Sequence, residues 1–240
     1  MSQPDSRRLV VLTGAGISAE SGLKTFRDGD GLWENHRIED VATPEAWERD
    51  PERVLRFYDE RREQVRRARP NPAHQALARL ERAGFAVRII TQNIDDLHER
   101  AGSSDVLHLH GEILKARSSV DPRLLYPLAR GGIRPGDLCD KGSQLRPHVV
   151  WFGEAVPAYG PACDSVAEAD LLLVVGTSLT VMPAAMLLDA APVECPCLLV
   201  DPRASEVSPR WVRAFDEPAS RGVPRLVEQW LKAGRLIAPS

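Results

Sequence analysis

Five short aliphatic runs limit what this chain can fold into. They are "LVVLTG" (9–14), "VRIITQN" (87–93), "VLHLHG" (106–111), "LLLVVGTS" (171–178) and "CLLVDP" (197–202). Each has strand length and ends in glycine or a polar residue. Helical stretches lie between them. Continuous apolar strands alternating with helices imply a parallel sheet covered on both faces. The expected class is therefore α/β, a Rossmann-like parallel sheet with helices on both faces. Ligands of such a sheet bind outside the carboxyl ends of the strands. The polar residues that follow each run are the ones to read.

Two stretches break the alternation. Residues 34–84 are helical in pattern, with Pro44, Pro51, Pro70 and Pro72 as breaks, and residues 112–148 are irregular around "RGGIRPGD". Both are read as a smaller helical and irregular module inserted into a single domain. The large part then comprises about 1–33, 85–111 and 149–240. "VPRLVEQWLKAG" reads as a closing amphipathic helix stopped at Gly234.

Composition excludes some partners. The net charge of −3 over 240 residues gives no electrostatic case for nucleic acid. No apolar run approaches the roughly 20 residues that span a bilayer, and "MSQPDSRR" lacks the apolar segment of a signal peptide. Cys139, Cys163, Cys195 and Cys197 do not make a disulfide framework for a chain this size. The expectation is a monomeric cytoplasmic protein with no nucleic-acid or membrane partner.

Four motifs follow the apolar runs. In "LVVLTGAGISAESG" a strand leads into Gly14-x-Gly16-x-x-Ala19, a phosphate-loop spacing in the right context. A tight strand–helix turn without a ligand is the plain alternative. No second strand with an acidic residue about 20 positions on follows, so the loop is not that of a dehydrogenase. In "TQNIDDLHERAG", Gln92, Asn93 and Asp95 sit at a strand end, as helix caps or as ligand contacts. In "LHLHG", His108 reads as structural, and His110, at the ligand edge, as a general base. Gly176, Thr177 and Ser178 form another small hydroxyl-bearing turn suited to phosphate or ribose.

Taken in order, "GAGIS", "TFR", "TQNIDDLH", "HG", "PHVVWFGE" and "GTS" resemble the sirtuins, NAD-dependent protein lysine deacylases, over about residues 9–232. The resemblance implies NAD as cofactor and acylated lysine of proteins as substrate. Acyl-amide oxygen attacks the NAD ribose as nicotinamide leaves, giving free lysine and O-acyl-ADP-ribose. Carried over, His110 and Asn93 are catalytic. Gly14, Ala15, Gly16 and Ser18 hold phosphates. Thr25, Phe26, Arg27 and Trp33 belong to a loop closing over NAD. Gln92, Asn93, Ile94 and Asp95 line the nicotinamide pocket. Gly176, Thr177, Ser178, Asp201 and Ala219 contact the adenosine side. Val150, Trp151, Phe152 and Gly153 receive the acyl-lysine. The same scaffold leaves open an NAD glycohydrolase, a mono-ADP-ribosyltransferase, or a non-catalytic NAD or ADP-ribose-binding module.

Two further features follow from the resemblance. Most sirtuins hold a structural zinc with four cysteines; here Ser118, Asp121 and Gly142 stand at three of those positions and only Cys139 remains. One thiolate does not make a tetrahedral zinc site, so zinc is not expected. Packing by Leu124, Leu125, Tyr126 and Leu128 is expected to hold the module. In "LRFYDERREQVRR", Tyr58 and Arg61 share a helix face. They match the Tyr-x-x-Arg of the branch that removes succinyl and malonyl groups, while Arg62 is read as solvated.

Overall fold

The computed structural model describes residues 7–24, 32–33 and 36–238, with backbone alone for 32 and 33. Strand β1 (Arg8–Thr13) runs into a short helix, α1 (Gly16–Ala19). A ribbon of β2 (Leu32–Trp33) and β3 (His36–Arg37) precedes α2 (Ile38–Val41), α3 (Pro44–Arg49), α4 (Pro51–Arg67) and α5 (Pro72–Arg82). β4 (Ala86–Thr91), α6 (Leu97–Ala101) and β5 (Val106–His108) come next, then β6 (Gly111–Ser118), β7 (Leu125–Pro127) and β8 (Leu145–Val149). The chain ends with α7 (Tyr159–Ala167), β9 (Leu171–Val175), a 3₁₀ turn (Ala184–Ala190), β10 (Cys197–Asp201), α8 (Ala204–Val207), β11 (Arg213–Asp216) and α9 (Ala219–Ala233). No described helix is long and apolar enough to cross a membrane.

The large sheet has the order β11-β10-β9-β1-β4-β5 and is parallel throughout. All five expected strands are in it. Successive residues of β1 face opposite layers, which is why the run is continuously apolar. Leu9 and Val11 pack with Leu77 and Leu80 of α5 and with Val223, Leu226 and Trp230 of α9. Val10 and Leu12 pack with Ala162 and Val166 of α7 and with Leu187 and Leu188 of the 3₁₀ turn. Helix α5, grouped by sequence with the small module, therefore packs on the large sheet. The closing helix begins earlier than expected, at Ala219, and stops at Gly234 in the left-handed region.

Residues 112–148 are more regular than expected. They contribute most of a three-stranded antiparallel sheet, β7-β6-β8. The register shifts between Gly111 and Ala116, which interrupts the period-two burial that would reveal β6 as a strand. Three of the four prolines read as breaks instead start helices. Pro44, Pro51 and Pro72 occupy first helical positions, after the side-chain caps Thr43, Asp50 and Asn71. Tyr126 and Leu128 pack on a cluster of Leu55, Ala116 and Ile133, whereas Leu125 turns outward and is exposed.

Strand order reverses between β1 and β9, and the loops leaving these strands touch. Gly14 N–H donates to Val175 O at 3.0 Å, and Gly16 N–H to Gly176 O at 2.8 Å. A Cβ on Gly14 would stand 2.7 Å from Gly176 O, and one on Gly16 2.7 Å from Gly176 Cα. Gly176 has φ +61, and a Cβ there would collide with the backbone of Gly16 and Ile17. The glycines are thus demanded by loop-to-loop contact. Gly176→Ala is expected to destabilise the protein by about 2–4 kcal/mol through strain and steric overlap. Denaturant unfolding measures this, and wild-type stability in the variant would contradict the contact.

Candidate active site

A cavity of about 580 Å³ opens at the switch point and extends to the small module. The loop after β1 supplies Gly14, Ala15, Gly16 and Ser18, and the loop after β9 supplies Gly176, Thr177 and Ser178. Asp201 ends β10, and Ala219 begins α9. The segment after β4 adds Gln92, Asn93, Ile94 and Asp95, and His110 follows β5. Tyr58 and Arg61 enter from α4, and Val150, Trp151, Phe152 and Gly153 from the loop after β8. Motifs far apart in sequence thus share one cavity wall. Thr25, Phe26, Arg27 and the side chain of Trp33 lie outside the described residues. Glu20, Lys24, Val65, Ile113, Glu154 and Arg203 also line the cavity and were not anticipated. Glu20 and Glu154 stand inside quoted motifs, so their position was the available signal.

Hydrogen bonds fix the polar wall. His110 Nδ1 lies 3.0 Å from Gln92 O. A carbonyl only accepts, so Nδ1 carries the proton and Nε2 is the basic nitrogen. Burial lowers the His110 pKa and outweighs the opposing carbonyl contact, which keeps the ring neutral near pH 7. Asn93 Nδ2 donates to Ser18 Oγ at 3.1 Å, and Ser18 Oγ donates to Asp95 Oδ2 at 3.0 Å. Asp95 Oδ1 also accepts Leu97 N–H just ahead of α6, whose N-cap residue, Asp96, makes no side-chain cap bond. Burial raises the Asp95 pKa, which the Leu97 and Ser18 contacts partly offset. Gln92 Nε2 reaches Thr177 Oγ1 at 3.3 Å and joins the two sides of the sheet. His108 is structural: its ring pairs with Glu99 at 2.7 Å.

The glycine loop differs from its expected role in one respect. The N–H groups of Gly14 and Gly16 are committed to β9 and its loop. Helix α1 has only four residues and no side-chain cap. Its dipole is correspondingly small.

Helix α4 is tied down along its length, which fixes Tyr58 and Arg61. Arg62 Nε donates to Ile113 O at 2.8 Å, and its Nη1 pairs with Asp59. Arg66 donates to Leu128 O at 3.0 Å. Arg100 closes the end of the helix through Val65 O and Ala68 O. The reading of Arg62 as solvated is therefore corrected: it is fully buried and docks α4 on β6. Charge pattern alone does not separate it from Arg66, because the partner is a backbone carbonyl 51 residues away. Tyr58 is fully buried and Arg61 nearly so. Burial pushes the Tyr58 hydroxyl pKa well up, so it stays protonated.

The Sir2 family pattern matches residues 14–183, more than half of the chain. The chain belongs to the Sir2 family. A NAD-dependent protein deacylase of Helicobacter pylori strain 26695 is 51% identical over 227 residues, covering 92% of this chain and 98% of the relative. One from Bacteroides thetaiotaomicron is 47% identical over 234 residues, covering 95% and 99%. A Sir2 homologue solved as its NAD complex superposes with TM-score 0.85 at 42% identity, covering 95% of this chain and 91% of the other. Sir2Tm bound to a propionylated peptide gives TM-score 0.74 at 31% identity, covering 93% of each chain. This sirtuin therefore has the family's Rossmann-like fold with a small antiparallel module.

At the corner where sirtuins carry zinc cysteines, this sirtuin has a different set of contacts. Asp121 accepts from Lys141 Nζ at 2.8 Å and from Arg123 Nε and Nη2 at 2.9 Å each. These bonds hold its carboxyl well below the usual carboxylate range. Ser118 Oγ accepts the N–H groups of Val120 and Asp121. Its hydrogen bond lowers the Cys139 thiol pKa. The donor set does not suit zinc, because one thiol remains and the carboxylate already binds two cations. Among the described residues, no three His, Cys, Asp or Glu side chains group to hold a metal.

Under the active-site loops lies a buried imidazole pair. His98 Nε2 is 3.2 Å from Thr13 Oγ1, and the rings of His74 and His98 are 4.8 Å apart. Burial lowers His74 to about 4 and His98 well below its usual value. Both are neutral when folded and protonate near pH 6.5 when unfolded. Their depressed values mean that stability is complete above about pH 6.5 and is lost as pH falls toward 4. Thermal midpoints stepped from pH 7 to 4.5 are expected to fall, with a shallower slope in His98→Asn. A flat profile would contradict this.

Proposed function

We propose that this sirtuin is an NAD-dependent protein-lysine deacylase acting on succinyl- and malonyl-lysine as well as acetyl-lysine. The observation that carries the proposal is one cavity holding the glycine loops, His110 and the Tyr58/Arg61 pair together. Its volume lies within the range of about 300–1,000 Å³ usual for small-molecule sites. Relatives named NAD-dependent protein deacylases and the NAD complex of a homologue support the same reading.

NAD fits the residues present. The crossing of Gly14, Gly16 and Gly176 leaves no side chain at the switch point, and Asp201 offers a carboxylate at the tip of β10 for ribose hydroxyls. When bound, NAD supplies the nicotinamide leaving group and the ribose that takes up the acyl oxygen. His110 Nε2 accepts a proton from a ribose hydroxyl. Asn93, held by Ser18, presents its amide to the reacting centre. Gln92, Ile94 and Asp95 line the wall beside Asn93 where the nicotinamide would lie. Val150, Trp151, Phe152 and Gly153 keep the acyl-lysine against His110 and exclude water, which would otherwise capture the ribose. Arg61 offers a planar fork to an acyl carboxylate and Tyr58 a neutral hydroxyl.

Acetyl-, succinyl- and malonyl-lysine peptides of one sequence, incubated with NAD, test the acyl assignment. The wild type is expected to favour the acidic acyl groups. Arg61→Met should cost about 1.5–3 kcal/mol in kcat/KM on succinyl-lysine, the worth of a hydrogen bond to a charged group, and little on acetyl-lysine. Equal loss on all three peptides would refute the role of Arg61.

We further propose that the small module is held without zinc, by the Asp121–Lys141 and Asp121–Arg123 contacts. Purified protein should then contain no stoichiometric zinc, and a chelator should leave its thermal midpoint unchanged. One zinc per chain, removable with loss of the fold, would contradict this.

A further inference from the structure

At the acyl end of the cavity lies a cluster that the proposed chemistry does not use, with Glu154 on the cavity wall and Arg117 and Arg146 set behind it. Glu154 accepts from Arg117 Nη2 through both oxygens at 3.1 Å each, and from Arg146 Nη1 at 2.7 Å and Nη2 at 3.1 Å. It also accepts the Trp151 N–H at 2.8 Å. Arg146 Nη2 donates to Val149 O, and its guanidinium stacks on the Trp151 ring 3.2 Å from the centroid. The three charged side chains retain only 12%, 9% and 19% of their exposure for Arg117, Arg146 and Glu154. Trp151 and Tyr58 belong to one buried cluster, and Arg146 and Glu154 both act electrostatically on Tyr58.

The charges do not cancel. Two guanidiniums share one carboxylate. Glu112, which acts on His148 together with Arg117, is paired with Lys115 at 2.6 Å. A positive excess therefore sits behind the Trp151 and Tyr58 wall, in surroundings that screen it less than water does. Arg61 faces the same cavity from α4.

We propose that Arg117 is a specificity-determining residue, whose charge in the Arg117–Glu154–Arg146 cluster favours acyl groups that end in a carboxylate. This rests on the reading that the Tyr58/Arg61 cavity takes acidic acyl groups. Arg117 touches neither substrate nor cofactor and acts through the field of the cluster. Arg146 and Glu154 additionally hold Trp151 in place, so only Arg117 separates charge from architecture.

The test is Arg117→Gln assayed with NAD on matched succinyl- and acetyl-lysine peptides. KM for the succinyl peptide is expected to rise about three- to tenfold. KM for the acetyl peptide and kcat on both should not change, and Arg117→Lys should restore the succinyl KM. Equal changes on both peptides, no change on either, or failure of the Lys variant to restore would overturn the proposal. If the Gln variant does not fold, Arg61→Met provides the second reading. With Arg61 gone, a residual preference for succinyl over acetyl is expected, and its complete loss would overturn the role of the cluster. Wild-type enzyme with no preference for succinyl would instead overturn the acyl reading itself.

Discussion

The hydrogen bond from Gly16 N–H to Gly176 O is the contact on which the rest of the site depends. It closes two loops over each other where the strand order reverses, and only residues without a Cβ can make that approach. Because those loops are thin, the cavity begins at the sheet itself. Everything else is placed relative to this crossing. Gln92 N–H bonds Thr13 O, which carries the segment after β4 beside the crossing. Leu109 N–H bonds Thr91 O, which carries His110 in beside it.

A second constraint comes from arginines. The small module contains several guanidiniums with little or no exposure, and each makes a different connection. Arg62 docks α4 on β6, while Arg146 braces Trp151. Burial lowers the pKa of both, and their carboxylate partners offset that cost. Planar, always-charged side chains suit this work because they bind carbonyls and carboxylates in fixed directions. Such a scaffold sets the position of Tyr58 and Arg61 to within the play of a few hydrogen bonds. The Asp121–Lys141 contact adds a further ionic link at the corner where other family members use thiolates.

Much of the fold was legible in the sequence because burial on both faces leaves an unambiguous mark. β1, β9 and β10 are continuous apolar runs for that reason, and β4 is interrupted only by the half-buried Arg88; β5 is an edge strand without a fully buried residue and shows only through Val106 and Leu107. β11, at the other edge, leaves no apolar run because two of its four residues, Arg213 and Asp216, are charged and none is fully buried. α5 was grouped wrongly in space because its sequence neighbours are the small-module helices, while its partner, α9, lies nearly 150 residues on. The site residues were legible where the motif stands at a strand end. The burial of Arg62 and the commitment of the Gly14 and Gly16 amides were not legible, because each depends on a backbone carbonyl distant in sequence. Composition carries no trace of such a partner.

The central claim is that one cavity couples cleavage of NAD to removal of an acyl group. The stoichiometry of a full reaction on succinyl-lysine peptide, followed by mass spectrometry, tests this most directly. The account predicts one nicotinamide for each lysine freed, with the succinyl group recovered on ADP-ribose and no nicotinamide without peptide. Nicotinamide released at the same rate with or without peptide, and no acylated ADP-ribose, would contradict it.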